Sequence, residues 1–235
     1  MYFRALATDY DGTVAHHGTI DETTMLALER LRTSGRNLIL VTGRELDELG
    51  EVCPRLDMFD LIVAENGALL FDPANAEEVL LAEPPSQALI ERLRAEKLPD
   101  LSVGRTIIAT REPYETVVLE AIRELGLELH IIFNKGAVMV LPSNVNKATG
   151  LAAALERLKL SPKNVVGVGD AENDHAFIKT CGCAVAVANA IPALIDEVDL
   201  VTEGRASAGV TELIDRMIAT DLTDVVSAHR RIRVV

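Results

Sequence analysis

Two aspartates one residue apart, Asp9 and Asp11 in Asp9-Tyr10-Asp11-Gly12-Thr13, close the first apolar stretch of the chain, Ala5 to Thr8. In extended backbone the side chains of residues i and i+2 leave on the same side, so both carboxylates can face one substrate atom. A pair so placed can divide the work of group transfer. Asp9 can attack a phosphoryl group and form an aspartyl phosphate, while Asp11 protonates the leaving oxygen and later deprotonates the attacking water. The plainer alternative is an acidic turn that only caps a strand.

Three further groups stand at comparable places. The apolar run Asn37 to Val41 is followed at once by Thr42-Gly43-Arg44, where a hydroxyl and backbone N–H groups at a helix start can hold phosphate oxygens. Taken alone, that tripeptide is an ordinary turn. Lys147 opens a helical stretch in Asn146-Lys147-Ala148-Thr149-Gly150, against the preference of a helix start for acidic groups. A cation there can neutralise the nucleophilic carboxylate or the transferring phosphoryl group, and a solvated lysine is the alternative. In Gly167-Val168-Gly169-Asp170-Ala171-Glu172-Asn173-Asp174, Asp170 ends the apolar run Val165 to Val168, and Asn173 and Asp174 enter the next helical turn. Hard oxygen donors of this kind, with positions left for water and phosphate, suit Mg²⁺. Acidic capping of a helix start accounts for Glu172 but not for the cluster.

The elements that must position these groups alternate in type. Apolar runs at Ala5–Thr8, Asn37–Val41, Leu61–Ala64, Val165–Val168, Ala184–Val187 and Leu200–Val201 read as strands, with Ala68–Phe71 a returning strand after the turn Glu65-Asn66-Gly67. Helical spacing over 21–34, from Glu45, and over 147–160, 172–180, 193–197 and 210–219 fills the gaps. This rhythm predicts an α/β fold, a doubly wound and mainly parallel sheet whose ligand site lies beyond the carboxyl ends of the strands. The prolines of Glu83-Pro84-Pro85-Ser86 break the rhythm. Between them and Pro142 the order becomes helix (87–97), strand (101–109), helix (113–125) and a close strand pair (128–133 and 137–141) hinged at Asn134-Lys135-Gly136, an inserted small α+β cap domain. The expected division is a core of 1–83 and 143–220, a cap of 84–142, and a tail of 221–235 with a basic-apolar ending and no assigned role.

The chain has 235 residues, 23 Lys and Arg against 36 Asp and Glu, and a net charge of −13. Such a field repels nucleic acid and anionic lipid but permits a small anionic substrate where cations are focused locally. No apolar run reaches the length of a membrane span, no leader pattern opens the chain, and the three cysteines form neither a metal quartet nor a disulfide framework. The expected setting is cytoplasmic, without nucleic-acid or membrane partners, as a monomer or homodimer.

In this order, DYDGT, TGR, the isolated lysine and GDAEND resemble the four motifs of the haloacid dehalogenase superfamily of phosphotransferases. The insert resembles the type IIB cap of its Cof-like, sucrose-phosphatase-like and archaeal-type phosphoglycolate phosphatase branch. The resemblance covers residues 5–219. It implies Asp9 as nucleophile and Mg²⁺ ligand, Asp11 as acid/base and as a metal ligand through its carbonyl, Thr42 and Lys147 on the phosphoryl group, Asp170 on the metal, and Asn173 and Asp174 in support. Ala171 stands where relatives often have Gly, and Tyr10 is less usual than Leu or Ile.

Arg105, Arg111 and Lys135 are the cap cations most available to read the non-reacting end of an anionic substrate, with solvated surface cations as the alternative. The expected activity is a Mg²⁺-dependent phosphomonoesterase for a small phosphorylated metabolite, a sugar phosphate or a phosphoglycolate-like acid. A sugar phosphomutase and a non-catalytic phosphate-binding domain are the alternatives.

Overall fold

The computed structural model describes residues 1–225. Its twelve strands are β1 (Ala5–Thr8), β2 (Asn37–Val41), β3 (Leu61–Ala64), β4 (Leu69–Asp72), β5 (Glu77–Leu80), β6 (Ser102–Val103), β7 (Ile108–Arg111), β8 (Leu129–Asn134), β9 (Ala137–Pro142), β10 (Val165–Gly169), β11 (Cys183–Ala186) and β12 (Leu200–Val201). Eight of them form one sheet in the order β12-β11-β10-β1-β2-β3-β4-β5, parallel from β12 to β3 and antiparallel beyond. The expected doubly wound fold with an inserted α+β module is what the chain adopts.

Alternation along the parallel strands feeds two apolar layers, which is why both faces of the sheet are covered. On β2, Leu38 and Leu40 join the layer that holds α1 (Glu22–Thr33), α2 (Leu46–Val52) and α8 (Ala206–Thr220). Ile39 and Val41 join the opposite layer with α5 (Lys147–Leu158), α6 (His175–Thr180) and α7 (Pro192–Ile195). Helices α3 (Gln87–Ala95) and α4 (Glu115–Glu124) pack on one face of the second sheet, which is antiparallel in the order β6-β7-β9-β8.

Three sequence expectations need correction. The single strand expected over 101–109 is two short strands, β6 and β7, paired antiparallel about a turn. That turn is drawn off the strand path by a side chain of the core, described below. Strand β5 was not foreseen because its exposed Glu77 and Glu78 give no apolar alternation at this sheet edge. The helix expected from Glu172 begins as a 3-10 turn, Glu172–Asp174, and becomes α-helical only at His175. The tail's basic-apolar ending lies outside the described residues, among which no helix is long and apolar enough to cross a membrane.

Candidate active site

Asp9, Thr42, Glu65 and Asp170 each follow directly on one of four neighbouring parallel strands, β1, β2, β3 and β10, at their carboxyl ends. Asp9 is nearly buried and its Oδ1 accepts from Lys147 Nζ at 2.6 Å. The Asn146 side chain caps α5 by accepting from the N–H groups of Ala148 and Thr149, which fixes the first turn and aims Lys147 inward. Lys147 also donates to Asp174 Oδ1 at 2.6 Å, and its side chain has no solvent exposure. The second oxygen of Asp174 accepts from the backbone N–H groups of Asp170 and Ala171, each at 2.9 Å, so this carboxylate closes the 170–174 turn and orients the lysine.

Burial, and next the charge of Asp174, push the Asp9 carboxyl up from 3.8 to about 7 against the opposing pull of Lys147. Burial works against the lysine's charge too, yet Asp174 and Asp9 together hold its pKa above the ordinary value. Asp170 is shifted upward, first by burial, with Lys135 opposing.

Asp170 accepts from three side chains. Thr13 Oγ1 donates to its Oδ1 at 3.1 Å, while Lys135 Nζ at 2.8 Å and Asn189 Nδ2 at 3.2 Å donate to its Oδ2. Lys135 reaches there from the β8–β9 hairpin and also donates to the Asp11 carbonyl at 2.6 Å. Gly12 leaves room for both: a Cβ there would lie 2.5 Å from Asp170 Oδ2 and 2.6 Å from Lys135 Nζ, and its φ of +79 is one that L side chains rarely adopt. Arg44 forks onto Asp11 through Nε at 2.6 Å and Nη2 at 2.9 Å, and pairs with Glu48. The Thr42 hydroxyl, buried, accepts from Arg44 N–H at 3.1 Å.

Carboxylate oxygens of Asp9, Asp170 and Asp174 lie within 4.8 Å of one another. Asn173 Oδ1 is buried with no hydrogen-bond partner, while its Nδ2 donates to Asn66 Oδ1 at 2.9 Å. A set of hard oxygens with one buried acceptor left over fits a small divalent cation.

A cleft of about 330 Å³ opens beside Asp9 and Asp11, with Gly43 and Arg44 on the core side and Lys135 and Met139 on the side of the second sheet. Two expected cap cations do not line it. Arg105 forks onto Asp47 at 2.6 and 2.9 Å and reaches Glu78, and Arg111 pairs with Asp100 at 3.0 Å, so local carboxylates hold both elsewhere. Sequence reasoning missed Asn189, which also donates to the Gly12 carbonyl at 2.8 Å. Its signal was there, a polar residue interrupting the apolar run after Cys183.

The family model of the haloacid dehalogenase-like hydrolases matches residues 6–96 and 106–214. The chain belongs to this family. Among curated relatives, the phosphoglycolate phosphatase of Methanothermobacter thermautotrophicus is 31% identical over 229 residues, covering 92% of this chain and 99% of the relative. Phosphoglycolate phosphatase 2 of Saccharolobus solfataricus is 29% identical over 223 residues, covering 91% and 92%. Of solved haloacid dehalogenase-like structures, a hydrolase from Bacteroides thetaiotaomicron superimposes with a TM-score of 0.76 at 19% identity, covering 92% of this chain and 99% of that one. A subclass IIB sugar phosphatase gives 0.69 at 19% identity, covering 91% and 97%. These two likenesses bear on the fold.

Proposed function

We propose that this hydrolase is a Mg²⁺-dependent phosphomonoesterase acting on a small phosphorylated metabolite through an aspartyl phosphate on Asp9. The observation that carries the reading is the buried Lys147 ammonium holding Asp9 and Asp174 together beside Asp170, because phosphoryl transfer needs charge neutralisation and positioning above all. Phosphatase activity also agrees with the names of the relatives, and the candidate substrates are a phosphoglycolate-like acid and a sugar phosphate.

In the first half-reaction a carboxylate oxygen of Asp9 bonds to phosphorus, the ester P–O bond breaks, and Asp11 gives its proton to the departing oxygen. In the second, Asp11 takes a proton from water as that water's oxygen bonds to phosphorus. The bond to Asp9 breaks, inorganic phosphate leaves, and both carboxyl groups are restored. Arg44 forks onto the ionised Asp11, the form that takes the proton from water, and the fork opens when Asp11 carries its proton, while Thr42 with the backbone N–H groups beside it receives phosphoryl oxygens. Asp9, the Asp11 carbonyl, Asp170 and Asn173 would hold Mg²⁺, which supplies charge neutralisation for the phosphoryl oxygens when bound. Segment 84–142 acts as the cap, and Lys135 offers the one cap cation of the expected three that reaches the cleft.

The test is a screen of phosphorylated metabolites, phosphoglycolate and hexose phosphates included, with Mg²⁺ and with the Asp9→Asn variant. An amide is a poor nucleophile of nearly the same size, so the variant should fold and hydrolyse none of them. Activity of the variant within about tenfold of the wild type would sink the assignment.

A further inference from the structure

Glu65 is fully buried in the turn after β3, and the reaction above gives it no task. Its carboxylate crosses from the core to the turn between β6 and β7. There it accepts from the backbone N–H groups of Arg105 at 2.9 Å, Thr106 at 2.7 Å and Ile107 at 3.2 Å, and from the Thr106 hydroxyl at 2.6 Å. No ion pair compensates it among the described residues, and a buried carboxylate persists only where donors converge on it. These four donors, all in the turn between β6 and β7, hold it.

The same turn is fastened to the core at three points. Glu65 N–H donates to the Arg44 carbonyl at 2.9 Å, Asn66 N–H donates to the Thr42 carbonyl at 3.0 Å, and Asn66 Oδ1 accepts from Asn173 Nδ2 at 2.9 Å. Glu65 and Asn66 both take left-handed backbone angles, φ 49 and φ 55, which side-chain-bearing residues adopt at a cost. One strained pair therefore joins the Thr42–Arg44 loop, the Asn173 turn and the second sheet. From the clasped turn the ladder passes through β7 to β9, with Ala109 opposite Met139, and from β9 across the hairpin to Lys135. Where Glu65 holds residues 105–107 sets where Met139 and Lys135 stand over Asp9.

We infer that Glu65 is a positioning residue whose carboxylate, clasping the 105–107 turn, fixes the antiparallel sheet over the phosphoryl site. The inference deepens the phosphatase reading, because the residues so placed are those proposed to receive the substrate. Amide hydrogen exchange followed by mass spectrometry tests it on the full chain in wild-type, Glu65→Ala, Glu65→Gln and Thr106→Val forms. Glu65→Ala should speed exchange over 102–111 by about tenfold or more while 165–169, in the parallel sheet, stays within about twofold. Thr106→Val removes one hydroxyl donor and should give a smaller rise in the same segment, and it decides the matter where Glu65→Ala does not fold.

On the best substrate from the screen, Glu65→Ala should raise KM by about tenfold and change kcat by less than about threefold, with Glu65→Gln between it and the wild type. Unchanged exchange over 102–111 overturns the inference. So does an equal rise over 165–169, and so does an unaltered KM in a variant whose 102–111 exchange has risen. The exchange contrast uses no substrate, so a wild type that hydrolyses nothing would sink the phosphatase reading and leave this arm standing.

Discussion

Lys147 Nζ lies 2.6 Å from Asp9 Oδ1, and the two side chains offer 0% and 7% of their surface to solvent. The same ammonium holds Asp174, so a single buried cation separates two buried carboxylates. Removing one partner from such a group costs about 3–5 kcal/mol, because the remaining charges stay desolvated and now face each other. Lys147→Ala is expected to lower the urea midpoint at pH 8 strongly and to abolish hydrolysis. The stability deficit should shrink as the pH is lowered to 5, where Asp9, pushed up to about 7 first by burial and next by Asp174, takes a proton. A deficit that stays constant between pH 5 and pH 8 would contradict this picture.

Metal and proton are expected to compete for Asp9. Burial first and Asp174 next push its carboxyl to about 7, so in the folded protein the fraction carrying a proton grows as the pH falls through neutrality. A Mg²⁺ ligand must be ionised, and the Mg²⁺ concentration for half-maximal activity should therefore rise on acidification, by up to about tenfold per pH unit below 7. Titrations at pH 8, 7 and 6 check the direction. Chelation with EDTA should remove activity and added Mg²⁺ restore it, with Ca²⁺ a poor substitute because it takes more ligands at longer distances.

The three cap cations are expected to separate by environment. Lys135 contacts Asp170 and the Asp11 carbonyl and lines the cleft, whereas Arg111 pairs with Asp100 away from it. Lys135→Ala should raise KM for phosphoglycolate by about tenfold and also alter p-nitrophenyl phosphate hydrolysis, because its ammonium touches two proposed Mg²⁺ ligands as well as lining the cleft. Arg111→Ala should leave both substrates unchanged. Equal effects of the two variants on phosphoglycolate would remove the cleft-side role of Lys135.

The groups at strand ends were legible because chemistry and patterning coincide there: a short apolar run fixes the strand, and the next polar residue must stand at its carboxyl end, as with Asp9, Thr42 and Asp170. The partners of the strand ends were not legible. Glu65-Asn66-Gly67 carries the ordinary signature of a turn, and nothing in its composition tells that Glu65 reaches residues forty positions onward. Arg105 failed for the complementary reason. Charge alone proposed it for the substrate, but Asp47 and Glu78 converge on it from two other elements. Strand β5 was silent because an exposed edge bearing Glu77 and Glu78 requires no apolar face.

Gly150 sets two familiar effects against each other, since it lies in α5, where alanine is the better helix former by about 1 kcal/mol. A Cβ at this position would lie 2.4 Å from Val63 Cγ1 and 2.6 Å from Gly67 Cα, and the second of these is backbone that cannot turn aside. Overpacking of this kind costs about 1–3 kcal/mol, so Gly150→Ala is expected to destabilise the protein despite the gain in propensity. The helix can escape the clash only by moving off β3, and Lys147 sits one turn earlier on it. A shift of α5 draws the ammonium from Asp9, so activity should fall further than the loss of folded protein explains. Measuring the urea midpoint together with kcat on purified Gly150→Ala separates the two effects. A midpoint at or above the wild-type value would mean that propensity wins and that the contact with the Glu65-Asn66-Gly67 turn is looser than these distances state.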